Sequence, residues 1–270
     1  MNRLREPTAI HWHGIELDSY YDGVPGWSGL GTQITSRIEP GASFVARMRP
    51  PRAGTFIYHT HWHDPSQLTN GVYGPLIVLP KGQQFDASSD LTFVFGIGDF
   101  GALRELALIN GTPQSKTLQL QTGRTYRFRL INISTNNQGM QVSLRDANGP
   151  VEWLNIAKDG IDLPPHRNKA QLTITVGETY DVEFSTTIPQ DLLLDLCRPR
   201  KFTRPKLLRS CPLLQIVSNT ASLWSCCPVS GCESVGTYPT ERDAVQCLTV
   251  VPFCVNFSSH SITIVCKAMR

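Results

Sequence analysis

Thr55-Phe56-Ile57-Tyr58-His59-Thr60-His61 is rich in aromatic and β-branched residues and closes on a His-x-His pair. A second pair lies upstream in Ile10-His11-Trp12-His13-Gly14. Both settings favour strands, and along a strand residues two apart leave by the same face about 6.6 Å from one another. Each pair therefore aims two imidazoles into one space, too far apart to share one metal easily but well spaced for neighbouring metals. Four of the seven histidines sit in these pairs. Imidazole suits copper, zinc, iron and nickel, so residue type alone does not choose among them. The competing reading is two chance pairs on unrelated strands.

The remaining sequence fits a β-rich chain. Charged residues are only 17% of 270, and 21 glycines with 19 prolines imply many turns between short strands. A chain of this length holds one large or two small domains and can bury a substantial core. No apolar run reaches the roughly 18 residues of a membrane-spanning helix. Met1–Pro7 lacks an apolar stretch of the kind a signal peptide carries, so none is expected in this sequence.

Strands are expected at Thr8–His13, Ile34–Ile38, Ser43–Met48, Thr55–His61 and Gly74–Pro80, with Tyr21–Gly26 and Pro40-Gly41 as turns. No stretch carries a helical period. Lys81–Asp90 reads as a linker. Alternation resumes at Leu91–Phe95, Leu106–Ile109 before the turn Asn110-Gly111, Thr117–Gln121, Thr125–Asn132, Met140–Leu144 and Val151–Ile156. Leu172–Val176 and Tyr180–Phe184 follow a break at Pro164-Pro165. A weak internal repeat relates Glu39–Met48 to Thr175–Phe184, each a Gly turn feeding an alternating strand, with Asn2 and Asn132 at similar distances upstream. The expected fold is all-β: two β-sandwich units of one kind, residues 1–82 and 90–195, the first lacking its opening strands.

Residues 196–270 differ in kind. They hold nine Lys/Arg against three acidic residues, a net +6, whereas the remainder carries −3. All eight cysteines fall here too. Eight cysteines could form four disulfides in any of 105 connectivities. Zinc is the alternative, without the paired Cys-x-x-Cys spacing that would support it. The favoured reading is an irregular, basic, Cys-rich tail, unrelated or altered in frame. Its Arg198–Arg209 stretch reads as a solvated segment and not as a nucleic-acid site.

Pro7-Thr-Ala-Ile-His-Trp-His-Gly14, Asp22-Gly23, Ile38-Glu-Pro-Gly41, Gly54-Thr-Phe-Ile-Tyr-His-Thr-His61 and Gly71–Val78 together resemble the first copper-binding cupredoxin domain of the multicopper oxidases, the laccases among them. Gly123–Asn132, Ala157–Gly160 and Val176–Phe184 resemble a further cupredoxin-type domain of that family, so the resemblance covers about residues 1–195. It implies two Greek-key sandwiches and copper in a trinuclear centre that reduces dioxygen to water while phenolic or other small reducing substrates are oxidised. His11 would be the type 2 ligand, and His13, His59 and His61 type 3 ligands. Asp22 would help deliver protons, although a turn residue before Gly23 is an equal reading. Alternation would also bring His63 to the same face, while the family motif needs only the first two histidines. Trp12 and Tyr58, out of phase with the histidines, are expected in the core.

The resemblance also implies a periplasmic or secreted location and no membrane or nucleic-acid partner. A complete centre needs eight histidines, and its type 1 copper needs a His-Cys-His motif that does not occur here. A second copper domain or subunit could supply both. The alternative is a copper-binding β-sandwich fragment of such an oxidase without catalysis. His166 and His260 have no evident partner.

Overall fold

The computed structural model describes residues 1–98, 106–112, 117–134, 139–197, 213–219, 253–256 and 262–265. The architecture is almost wholly β. The first unit holds β1 (Ile10–His13), β2 (Gly29–Leu30), β3 (Gln33–Ile34), β4 (Val45–Met48), β5 (Gly54–Thr60), the short helix α1 (Asp64–Thr69) and β6 (Tyr73–Leu79). The second holds β7 (Asp90–Gly98), β8 (Leu106–Ile109), β9 (Leu118–Gln121), β10 (Tyr126–Asn132), β11 (Met140–Asp146), β12 (Gly149–Pro150) and β13 (Glu152–Lys158). It continues with β14 (Ile161–Lys169), β15 (Gln171–Ile174), β16 (Thr179–Phe184), β17 (Gln190–Cys197) and β18 (Leu213–Asn219). Late in the chain come β19 (Phe253–Asn256) and β20 (Ile262–Val265).

The second unit is a sandwich of two sheets, β14-β13-β16-β10-β7-β8 facing β12-β11-β17-β18-β9, with β15 beside β11. Its strands alternate as a half-buried sheet requires: Met140, Val142 and Leu144 of β11 point inward and the residues between them do not. They meet Phe128, Trp153 and Leu194 in one core drawn from both sheets. In the first unit the sheet order is β1-β5-β6-β19, and a smaller core gathers Trp12, Phe56, Leu76 and Val78. Trp12 is buried there and Tyr58 packs against it, as their phase predicts.

The repeat proves to be a repeat of hydrogen bonds. The Asn2 amide group donates to Ile38 O and its Oδ1 accepts from Leu4 N, each at 2.8 Å. Gly41 N–H donates to Asn2 O, Asn2 N–H to Ala42 O, and Ala42 N–H closes the turn on Glu39 O. Asn132 does the same with Ile174, Ser134, Gly177 and Glu178, and Glu178 N–H closes the second turn on Thr175 O. Both asparagines are buried, so their amides need these partners.

That correspondence equates β4 with β16 and locates the late strands. β10 lies antiparallel to β16 with Tyr126 opposite Phe184, and β9 parallel to β18 with Leu118 opposite Ile216. β20 lies antiparallel to β4 with Ile262 opposite Met48, and β19 parallel to β6 with Phe253 opposite Leu76. Thus β19 and β20 take in the first unit the places that β9 and β10 hold in the second.

Several expectations differ from this structure. Ile34–Ile38 is not one strand: only Gln33–Ile34 pairs, and Ile38 bridges to Thr8. Helix does occur, in α1 and in one 3-10 turn at Ser19–Tyr21. Pro164-Pro165 sits inside β14, which is tolerable because β14 is an edge strand and a missing N–H there breaks no inner ladder. The stretch set apart by composition contributes β18, β19 and β20. The Arg198–Arg209 stretch, His260 and all the tail cysteines but Cys197 and Cys254 lie outside the described residues.

The two units are tied by a buried ionic lock. Arg129, 3% exposed, grips Asp90 with Nε and Nη2 at 2.6 Å each, and its Nη1 reaches Asp181 Oδ2 at 3.0 Å. From the first unit, Thr55 Oγ1 donates to Asp181 Oδ1 at 2.7 Å, and its carbonyl accepts from Thr179 Oγ1. Such groups stand burial because every charge finds an opposite charge or a donor. The lock fixes the start of β5, four residues before His59.

Candidate metal centre

β1 and β5 pair antiparallel with His11 opposite His59 and His13 opposite Ile57. His11, His13 and His59 thereby share one face, diagonal or opposite neighbours on a two-strand ribbon. One ring nitrogen from each lies within 4.8 Å of the others, the one such group among the described residues. His61 is close, its ring 5.7 Å from that of His11 and 6.2 Å from that of His59, but it stands outside this trio. Its backbone N–H donates to Ala9 O at 2.9 Å, just past the end of β5.

Hydrogen bonds set which nitrogens are free. His11 Nδ1 lies 2.9 Å from Asp22 O, and His59 Nδ1 lies 2.6 Å from Thr60 O. A carbonyl can only accept, so the proton belongs on Nδ1 in both rings and the lone pair on Nε2. Burial pushes His59 down to about 4, helped by the imidazoles of His11, His13 and His61 and opposed by its bond to Thr60 O. Burial and His11 lower His13 as well, against the carboxylates of Asp159 and Asp22. Neutral imidazoles with converging lone pairs are what a late first-row metal requires, so the donor set fits copper.

Asp22 reaches the site through its loop. Its Oδ1 lies 3.2 Å from His11 Nδ1, and Ser28 Oγ contacts Oδ2 at 3.4 Å. Gly23 makes this approach possible: at φ +78°, a Cβ there would lie 1.7 Å from Ile10 O. The Asp-Gly pair is therefore both a turn and the means of holding a carbonyl and a carboxylate against His11.

His63 does not follow the alternation. β5 ends at Thr60, His63 turns to a left-handed φ of +50° at the start of α1, and its ring faces Glu6 at 3.5 Å. His166 is exposed on β14, opposite Asn155.

The second unit also reaches the site, which the sequence reading missed. Arg52 Nε donates to Gly160 O and Nη2 to Gly14 O, each at 3.1 Å, joining the Asp159-Gly160 turn to the end of β1. Gly177 packs on the His13 ring. The repeat marks Gly177 as a turn residue, but no local signal tells what that turn touches.

Comparison with known proteins agrees with this geometry. Residues 1–83 match the family model described as multicopper oxidase. Residues 1–83 are a multicopper oxidase domain. Copper resistance protein A of Pseudomonas syringae pv. tomato is 45% identical over 80 residues, covering 30% of this chain and 12% of that protein. The laccase of Trametes maxima is 29% identical over 155 residues, 48% of this chain and 30% of the laccase. The multi-copper oxidase from Pseudomonas Thermotolerans superposes with a TM-score of 0.62 at 26% identity, over 91% of this chain and 56% of that one. The chain thus spans a small part of the curated relatives it matches, and its fold is the cupredoxin-like all-β fold of that family. The family is one of copper-dependent oxidoreductases. No helix among the described residues is long and apolar enough to cross a membrane.

Proposed function

We propose that this chain is part of a laccase-like oxidase that couples oxidation of phenolic substrates to reduction of dioxygen to water, residues 1–82 and 90–195 forming two cupredoxin units. In this reading His11 is the type 2 copper ligand and His13, His59 and His61 are type 3 ligands. The observation that carries it is the convergence of His11, His13 and His59 to within 4.8 Å on one face of β1 and β5. Bound copper would supply the one-electron steps that connect a phenol to dioxygen. The chain's own work is to hold lone pairs ready. The carbonyls of Asp22 and Thr60 fix the tautomers of His11 and His59, and burial keeps His59 neutral. Asp22, in hydrogen-bond reach of His11 and half exposed, would carry protons between solvent and the site. A periplasmic or secreted setting belongs to the same proposal.

A second reading has its own support. The sequence has four of the eight histidines of a full centre and no His-Cys-His motif, which favours a copper-binding β-sandwich that lacks turnover alone. A second copper domain or subunit would restore it. Copper-loaded protein, reduced without oxygen and then exposed to air with a phenol, separates the two. Oxygen uptake or a thiolate-to-copper band near about 600 nm, the signature of blue copper bound through Cys, supports the oxidase. Copper binding with neither supports the fragment. A chain that binds no copper sinks both.

A further inference from the structure

The two Asn-anchored turns share the hydrogen bonds described above but not their surroundings. In the first, Gly41 has φ +77°, and a Cβ built on it would meet nothing within 4 Å. In the second, Gly177 has φ +85°, and a Cβ there would stand 2.8 Å from His13 Nε2 and 2.9 Å from His13 Cε1. The backbone of the second unit is thus laid on the edge of a histidine of the first. Nor is this turn free to yield. Asn132 holds it through its backbone and its buried amide, Glu178 closes it by accepting from Thr175 N–H at 2.8 Å, and Lys158 holds Glu178 at 2.7 Å.

We propose that Gly177 is a positioning residue for the histidine site: it sets the orientation of the His13 ring, so metal binding in the first unit depends on the second. This rests on the copper reading above. With the Nε2–Cε1 edge of His13 laid against Gly177, Nδ1 is the nitrogen that His13 has left to offer, whereas His11 and His59 offer Nε2. Glycine is required twice over, for the left-handed backbone and for the missing Cβ. Any side chain would turn the ring and displace its nitrogen from the other two.

Gly41 provides the control, since Gly41→Ala carries the same backbone strain with no ring to strike. The whole chain and its G177A and G41A variants would be titrated with Cu(II) against a competing chelator and examined by electron paramagnetic resonance. G177A should bind about tenfold more weakly or worse, the loss typical when a group that orients a ligand is changed, with altered copper hyperfine splitting. G41A should match the parent in both. Parent-like affinity and spectrum in G177A would overturn the proposal while the copper reading stood. A parent that bound no copper would overturn both. Should G177A fold poorly, metal-free melting of H13A and H13A/G177A decides the matter. Coupling predicts that removing the ring recovers most of the loss, leaving a deficit like that of G41A. An undiminished loss in the double variant would refute the contact.

Discussion

Asp181 is almost fully buried among Arg127, Arg129 and Thr55, and it is one of the residues through which the two units hold one another. Asp181→Ala removes a carboxylate that Arg129 meets in a dry site. The expected cost is about 3–5 kcal/mol, the range for breaking a buried pair by removing one member, readable as a lower urea midpoint. A second residue-scale effect comes from His59. Its folded value of about 4 lies below the ordinary 6.5, so between these values the unfolded chain binds a proton that the folded chain does not. Stability of the metal-free protein should therefore be unaffected above pH 6.5, fall as pH drops through that window, and level off below about 4. His59→Gln should flatten this slope, and a slope unchanged by the substitution would place its origin elsewhere.

At the scale of the element, the end of β5 decides which histidines count. Alternation alone continues through His63; the strand does not, because the chain turns at Thr60 into α1. His63→Ala should leave copper stoichiometry and affinity unchanged, whereas His59→Ala should lose at least one copper, as measured by equilibrium dialysis. β1 and β5 were each legible as a His-x-His strand because such a pair with β-branched flanks is a local signal. So was the repeat, whose turn glycines follow Pro40 and Val176 at the position where a positive φ is needed. The contacts of Gly177 with His13, of Arg52 with Gly160 and of Arg129 with Thr55 were not legible. Each joins residues far apart in sequence, and no pattern within one segment encodes its partner in another. β14 was misread for a related reason: its prolines obey an edge-strand rule, and edge position is a property of the assembled sheet.

On the scale of the whole molecule, the first unit depends on the second unit and on strands from far along the chain. The second unit presses on β1 and β5, and β19 and β20 cover β6 and β4. Deleting residues 253–270 would open the edge of β6 and leave β4 without its ladder partner. Uncovered edges of this kind pair with other chains, so the truncated protein should self-associate in size-exclusion chromatography; a monomer of unchanged melting temperature would refute this. The same arrangement bears on the time order of folding. A ribosome releases the histidine strands early, but the strands that flank β4 and β6 emerge much later. The second sandwich, whose strand pairings all fall within residues 90–219, can assemble while synthesis continues. The first must wait, because its closing contacts span most of the chain and such contacts form slowly. The nascent chain would therefore carry its histidines in an open half-sandwich until β19 and β20 emerge, so metal capture belongs after that point.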